Sequence, residues 1–284
     1  MAPLVCIVTL NWRGADDTLA CVESLRLLTY PNYRVLVVDN GSGDDSVVRI
    51  ADACPDVDLL ETGANLGFAG GCNVGIRSAL ALGAEYVWLL NSDARVDPRA
   101  LAAMVELAET DPGTGAVGSL ICDSADPERV LAWGGGRIDL RVGRPCHALA
   151  EVADDKLDYL TGASLLLRAE ALADVGLLDE GYFLYWEETD LCYRLRARKW
   201  RLAVAPGSRV LHRSPEASRR RLRQKDRHFN QSAVRFMFRY AKHPWLAVLI
   251  GGSLRFGKRL LRGELGRARA VARGLACGLR QRHS

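Results

Sequence analysis

Two short, almost uninterrupted apolar runs open the chain, Val5-Cys6-Ile7-Val8-Thr9-Leu10 and Val35-Leu36-Val37-Val38-Asp39, both rich in β-branched residues. Such runs predict strands buried on both faces of a parallel sheet. Between them Leu19, Val22, Leu25 and Leu28 recur at helical spacing within Asp16 to Leu28, so the three segments predict a βαβ unit. The alternation continues with a helix over Asp44 to Ala53, a strand over Val57 to Glu61, and a glycine-rich stretch from Gly63 to Asn73 that leads into a helix through Leu82. A strand over Tyr86 to Leu90 ends in Asn91-Ser92-Asp93-Ala94, and Asp97 as N-cap with Pro98 at the first helical position predicts a helix to Glu109. Val117 to Ile121, Leu160 to Leu167, Leu202 to Ala205 and Ser208 to Leu211 read as further strands, while the polar, glycine-rich stretch 123–158 has no readable period.

Strands alternating with helices predict an α/β fold, a Rossmann-like, doubly wound and mostly parallel sheet flanked by helices, whose ligands bind beyond the carboxyl ends of the strands. The polar residues fall at those ends. Thr9 and Asn11 close the first strand, Asp39-Asn40 the second, Asn65 follows the third, and Asn91 with Asp93 the fourth. Any one of these is ordinary turn chemistry, but their concentration on one edge of one sheet argues for a binding site.

A second polar cluster, Tyr185-Trp186-Glu187-Glu188-Thr189-Asp190-Leu191-Cys192-Tyr193-Arg194, sets three carboxylates and an arginine among aromatic residues. At about 100° per residue, Glu188 and Asp190 point to roughly opposite sides of a helix, and Asp190 shares a face with Arg194 one turn on. One carboxylate can then be held by the arginine while another stays free. The bland reading is an acidic first turn that complements the helix dipole.

The 284 residues, 49% hydrophobic and 25% charged, suit a globular chain with a large core. The eight cysteines form no CxxC pair and no zinc spacing, and most lie inside apolar runs, which reads as reduced core residues of a cytosolic protein. The first residues pass directly into a strand, with no basic flank or cleavage pattern of a signal peptide. Several enzyme classes drop out: no GxGxxG follows the first strand, and there is no Walker A lysine motif, HExxH or GxSxG elbow. At the end of its strand Asp93 can serve as a ligand for a hard cation such as Mg²⁺ or Mn²⁺, which binds through one or two carboxylates together with substrate phosphates. His212, after the last strand-like run, is a further candidate ligand, although a lone histidine is more often structural.

Taken in order, Val8-Thr9-Leu10-Asn11-Trp12, Val37-Val38-Asp39-Asn40-Gly41-Ser42, the stretch Asn65 to Gly75, Leu89-Leu90-Asn91-Ser92-Asp93-Ala94, Leu160-Thr161-Gly162-Ala163, Phe183 to Arg194 and His212 resemble the inverting family 2 glycosyltransferases of the GT-A fold. The likeness is to the bacterial rhamnosyltransferase-like branch that builds cell-surface polysaccharides, and it covers roughly residues 4 to 215. It implies that Thr9, Asn11 and Asp39 hold the nucleoside, with Asp39 reading a pyrimidine ring, and that Asn65 and Asn73 line the nucleotide pocket. Asn91-Ser92-Asp93 stands where the family has Asp-x-Asp, so Asp93 is the implied metal ligand and Asn91, with Ser92 beside it, a ribose or diphosphate contact. Glu188 matches the catalytic base, Asp190 the acid that braces the acceptor loop, and His212 a metal or diphosphate contact. The implied partners are a nucleotide-diphosphate sugar, dTDP-rhamnose first, and a saccharide acceptor, polyprenyl-linked. A UDP-sugar transferase of the same fold is the alternative within enzymes, and a nucleotide-binding or membrane-scaffolding protein without catalysis the alternative outside them.

Charge divides the chain. Residues 1–190 hold 13 Lys and Arg against 31 Asp and Glu, whereas residues 191–284 hold 25 against Glu216, Asp226 and Glu264. We therefore expect a catalytic domain over 1–215 and a basic, amphipathic helical extension over 216–284 that meets an anionic membrane, placing the protein on the inner face of the cell membrane. In the extension, Arg219 to Lys225 supply charge and Phe229, Val234, Phe236, Met237, Phe238 and Tyr240 an apolar face, followed by the apolar run Trp245 to Leu254, too short to span a bilayer, and by Arg255, Lys258, Arg259, Arg262, Arg267 and Arg269. A solvated basic face on helices packed against the main body is the plainer reading. Nucleic acid is not expected as partner, because no helix-turn-helix, RRM or zinc pattern is present.

Overall fold

The computed structural model describes residues 1–212 and 219–281. The boundary expected at residue 215 lies outside the described residues. The first half alternates as the periodicity requires: β1 (Val5–Asn11), α1 (Ala15–Leu25), β2 (Tyr33–Asp39), α2 (Ser46–Ala53), β3 (Asp58–Glu61), α3 (Gly67–Ala81) and β4 (Tyr86–Asn91). A three-residue strand β5 (Ala94–Val96) and α4 (Ala100–Glu109) follow, then β6 (Thr114–Asp123), β7 (Val130–Trp133), β8 (Gly135–Asp139) and β9 (Arg144–His147). The remainder is β10 (Tyr159–Leu160), β11 (Ser164–Arg168), α5 (Ala169–Val175), α6 (Glu187–Ala197), β12 (Arg201–His212), α7 (Arg219–Tyr240), α8 (Pro244–Leu261) and α9 (Leu265–Gln281).

The central sheet runs β3-β2-β1-β4-β11-β6-β12-β5, with β7 added beside β6. Neighbours β3, β2, β1 and β4 are parallel, as are β6 and β12, while β11 is inserted antiparallel between β4 and β6. Register sets the polar ends side by side: Asn11 pairs with Asp39, Leu10 with Asn91, and Asp39 with Glu61. Because β5 starts three residues beyond β4 but pairs with β12, opposing Ala94 to His212, the sheet curls and brings the far end of β12 to the end of β4.

Alternate strand residues feed two cores. Cys6, Val8, Leu36 and Val38 pack against α3, α6 and α7, and Val5, Ile7, Trp88 and Leu90 against α1 and α4. Three expectations need adjustment. The run Leu160 to Leu167 is broken by a turn at residues 161–163, which separates β10 from β11. The helix after Asp97 begins at Ala100, with Asp97 serving the turn before it: its carboxylate accepts from the Arg99 amide at 3.0 Å and its carbonyl from the Ala100 amide at 2.9 Å. The unreadable stretch 123–158 holds β7, β8 and β9, and β8 and β9 form with β10 a small antiparallel sheet in the order β10-β8-β9.

The C-terminal helices are packed on the body. Val234, Phe236 and Met237 of α7 are buried in the same core as β1 and α6. Phe236 meets Trp186, Tyr193 and Tyr240 with ring centroids 4.7 to 5.0 Å apart. Asp226 of α7 pairs with Arg259 of α8 at 3.0 Å and with Arg267 of α9 at 2.6 Å, so one carboxylate ties the three helices together. The apolar face of α7 is thus spent inside the protein. Phe236→Ala removes a fully buried ring, and denaturant unfolding is expected to record a loss of about 3–5 kcal/mol; a loss below about 1 kcal/mol would show that α7 contributes little to the core.

Candidate active site

The site lies at the carboxyl edge of the sheet, and the acidic cluster reaches it through an unusual turn. Tyr185 and Trp186 both have left-handed backbones, with φ of 68° and 77°, immediately before α6 begins at Glu187. For bulky residues this conformation costs roughly 1–3 kcal/mol each and persists only where the surroundings impose it. They do so from both sides. The Phe183 carbonyl accepts from the Phe68 amide at 2.7 Å, and a Cβ at Gly67 would stand 2.3 Å from that oxygen, so α3 can approach only because residue 67 is glycine. From α7, Ser232 donates to the Leu184 carbonyl at 2.9 Å, and Phe229 and Phe236 cover the Trp186 ring.

Asp190 is wholly buried and fully engaged. Its carboxylate takes Arg194 at 2.8 Å, one turn along α6 as expected, together with the hydroxyls of Tyr240 at 2.8 Å and Tyr182 at 3.3 Å and the guanidinium of Arg239 at 3.0 Å. Arg194 in turn donates to the carbonyls of Val175, Gly176 and Leu177. With no surface open to a substrate, Asp190 is a positioning residue. Arg239 and Tyr240 were missed in the sequence because they stand 49 and 50 residues away; the helical period marks Tyr240 only as core.

Glu187 and Glu188 behave differently. Each has one buried carboxylate oxygen without a hydrogen-bond partner, and burial pushes both carboxyls above the usual range. For Glu187 the neighbouring Glu188 charge adds to burial. For Glu188, backbone amides of the first helical turn oppose it. Between the dipole and burial, burial prevails. Glu187, expected to be a plain helix-start acid, is buried to 4% exposure. The Glu188 side chain lies 3.6 to 3.8 Å from where a Cβ on Gly162 would sit, so the 161–163 turn forms one wall beside it. That turn is joined to the end of β4, where the Asn91 amide donates to the Ala163 carbonyl at 3.1 Å.

From that strand end the other group is assembled. Asp93 Oδ1 stands 3.1 Å from His212 Nε2, and Asn91 Nδ2 also lies 3.1 Å from that nitrogen. A single imidazole nitrogen cannot donate to Asp93 and accept from Asn91 at once. An oxygen and a nitrogen ligand atom 3.1 Å apart suit a divalent cation. Among the described residues no group of three or more His, Cys, Asp or Glu is placed to hold a metal. Asp93 and His212 therefore fit a cation that takes its remaining ligands from substrate phosphates and water. Ser92 lies partly exposed between Asn91 and Asp93.

Most of the side chains expected at the nucleoside are enclosed in the protein. Asp39 accepts from Asn11 Nδ2 at 2.7 Å and from the Ser42 hydroxyl and amide at 2.5 and 2.9 Å. Asn11 is wholly buried and also takes the Thr18 hydroxyl at 2.9 Å, so it holds Asp39 in place and offers nothing to a ligand. Thr9 has no exposed surface either. Asn73 is spent on Leu178, through donor and acceptor, and on Glu180 at 2.9 Å, tying α3 to the loop before α6. All three side chains are enclosed, as is Asp39. Asn65 is exposed, and its carbonyl accepts from the Gly67 amide at 2.9 Å and from Asn40 at 3.3 Å, shaping the entry to α3. In the sequence Asn40 and Ser42 are named with the strand end and the family motif but given no role.

The chain is similar to known proteins. A family model described as Glycosyl transferase family 2 matches residues 4–174, which include Asp39 and Asp93 but stop short of Glu188 and His212. The N-acetylglucosaminyl-diphospho-decaprenol L-rhamnosyltransferase of Mycobacterium tuberculosis is 29% identical over 246 residues, 78% of this chain and 79% of that protein. Galactofuranosyltransferase GlfT1 of the same organism is 31% identical over 205 residues, 69% of this chain and 65% of that one. A solved mannosyltransferase from Pyrobaculum calidifontis, in complex with GDP-Man and Mn²⁺, superposes with a TM-score of 0.60 at 19% identity, covering 98% of this chain and 76% of its own. That likeness supports the GT-A fold expected from the sequence.

The two raised carboxyls have a consequence for stability. A carboxyl whose folded pKa lies above its unfolded value stabilises the fold below the ordinary glutamate range, and that contribution is lost as pH rises through the folded value. Glu187→Gln removes the ionisable member and is expected to raise the thermal midpoint progressively from about pH 5 to about pH 8 relative to the parent. A constant difference across that range in scanning calorimetry would show that Glu187 does not titrate there.

Proposed function

The chain belongs to glycosyl transferase family 2, and from that premise we propose that it transfers a sugar, with inversion, from a nucleotide-diphosphate donor to a lipid-linked saccharide during construction of a cell-surface glycan. The observation that carries the proposal is the Glu188 carboxylate, buried beside Gly162 with one oxygen unpartnered, at the sheet edge where Asp93 and His212 meet.

Inversion in a single displacement needs one base and no protein nucleophile. Glu188 takes the proton of the acceptor hydroxyl as that oxygen attacks the anomeric carbon, and the bond from that carbon to the diphosphate breaks. The left-handed turn at Tyr185-Trp186 and the Asp190 network fix where the carboxylate stands, which is worth more than its basicity if the hydroxyl is to be met in line. Because Glu188 must be ionised to act, its raised pKa sets the acid limb of the rate profile above that of an ordinary glutamate. Asp93 and His212 would hold Mg²⁺ or Mn²⁺, which when bound would neutralise the negative charge gathering on the departing diphosphate. Asp39, braced by Asn11 and Ser42, meets the nucleoside at the end of β2, and Asn91 and Ser92 lie along the diphosphate path.

For the donor, dTDP-rhamnose is favoured by the rhamnosyltransferase relative, whose name also supplies the polyprenyl-diphosphate acceptor. A UDP-sugar is the second reading, since the galactofuranosyltransferase relative is named for a different sugar. Thermal shift against both nucleotide sugars in the presence of Mg²⁺ separates them, since the true donor raises the midpoint by mass action.

Glu188→Gln is expected to lower transfer by about 10²–10⁴-fold while donor affinity is kept; unimpaired turnover would sink the assignment. Asp93→Ala is expected to abolish the dependence of nucleotide affinity on Mg²⁺ or Mn²⁺, read by titration calorimetry, and an unchanged dependence would contradict the metal site.

A further inference from the structure

Helix α8 is amphipathic in the reverse of the usual sense. Its inward face is made of small residues, Ala247, Val248, Gly251 and Gly252, which let the helix sit close against the body and α9. A Cβ at Gly251 would stand 2.0 Å from the Val142 carbonyl, and one at Gly252 would stand 2.7 Å from Leu275. Its outward face carries the large apolar residues: Trp245, Leu246, Leu249, Ile250, Leu254 and Leu261 are 40% to 91% exposed. At about 100° per residue these positions, with Ser253, Gly257 and Leu260, fill one side of the helix without a charge. A helix that faces water places such residues the other way round.

Charge frames the stripe. Residues 242–281 hold nine Lys and Arg against Glu264 alone, and Glu264 is paired with Arg259 and Arg267. Lys242, Lys258 and Arg262 stand exposed around the ends of the stripe, and Arg269, Arg273 and Arg280 are exposed on one side of α9. No described helix is long and apolar enough to cross a membrane. Nor is α8 free to leave the body, because Arg255 on its inner side donates to Asn230 at 2.7 Å and to the carbonyls of Val142 and Gly143 at 3.1 Å.

We propose that the outward face of α8 is the surface by which this protein docks on an anionic bilayer, the helix lying flat with its Leu and Trp side chains among the acyl chains and the surrounding Lys and Arg at the lipid phosphates. A two-fold dimer through the same stripe would bring two cationic rims together, whereas an anionic lipid surface satisfies the apolar and the basic residues at once. The expectation from the sequence spread the membrane face over the whole extension 216–284; the ring face of α7 is buried, and α8 is the helix whose large apolar residues remain uncovered.

The test is flotation of the full chain with vesicles of equal parts phosphatidylglycerol and phosphatidylcholine. The wild-type chain is expected to float, more weakly with phosphatidylcholine alone, and Leu249→Ser with Leu254→Ser to reduce the bound fraction by about tenfold or more at unchanged thermal midpoint. The proposal is overturned if the wild-type chain stays in the soluble fractions or if the double variant floats equally well. It is overturned too if sedimentation without vesicles shows a dimer that the same substitutions dissociate. No turnover enters the readout, so this surface stands or falls apart from the transfer reaction.

Discussion

The feature on which the rest of the site depends is the left-handed turn at Tyr185 and Trp186 and the clamp that holds it. Two consecutive bulky residues with positive φ do not persist unaided. Here Gly67 and Phe68 of α3 grip the Phe183 carbonyl from one side, and Ser232, Phe229 and Phe236 of α7 cover the turn from the other. The result is that α6 starts at Glu187 with its first carboxylates directed into the protein. A relaxed turn would let α6 begin in the ordinary way, with its acids in water.

What the clamp holds is costly. Glu187 is buried and Glu188 beside it half-buried, each with one enclosed oxygen that has no hydrogen-bond partner, and burial disfavours their charge. Asp190, two residues further, is the counterpart, saturated by Arg194, Arg239, Tyr182 and Tyr240. The network joins the start of α6 to α7 through Arg239 and Tyr240, while Glu188 lies beside Gly162. Stability lost at one carboxylate pair is offset by bonding at the other, which is how a reactive group is kept in an otherwise close-packed interior.

The C-terminal helices thus have two faces with separate tasks. The inner face of α7 completes the core and reaches Asp190, while the outer face of α8 is apolar and framed by positive charge. Asp226, held by Arg259 and Arg267, locks the helices to one another, so a surface docked through α8 keeps a fixed relation to the carboxylates before α6. An acceptor carried in a lipid layer would then be presented to a site whose orientation is set by the same helices.

The sequence by itself determined the β1 to β4 alternation, the gathering of Asn11, Asp39, Asn91 and Asp93 on one edge, and the pairing of Asp190 with Arg194, because each follows from a local period: two for strands, 3.6 for helices. It also marked Glu188 as the carboxylate apart. Local period could not say that the Asn11 and Asn73 side chains are consumed inside the protein, since their partners Asp39, Ser42, Leu178 and Glu180 lie 28 to 107 residues away. Nor could it separate the apolar face of α7 from that of α8, since both repeat at the same spacing. Only tertiary structure decides which face meets the body, because that depends on where small residues such as Gly251 and Gly252 allow close approach and where rings such as Phe236 find a cavity of their own size.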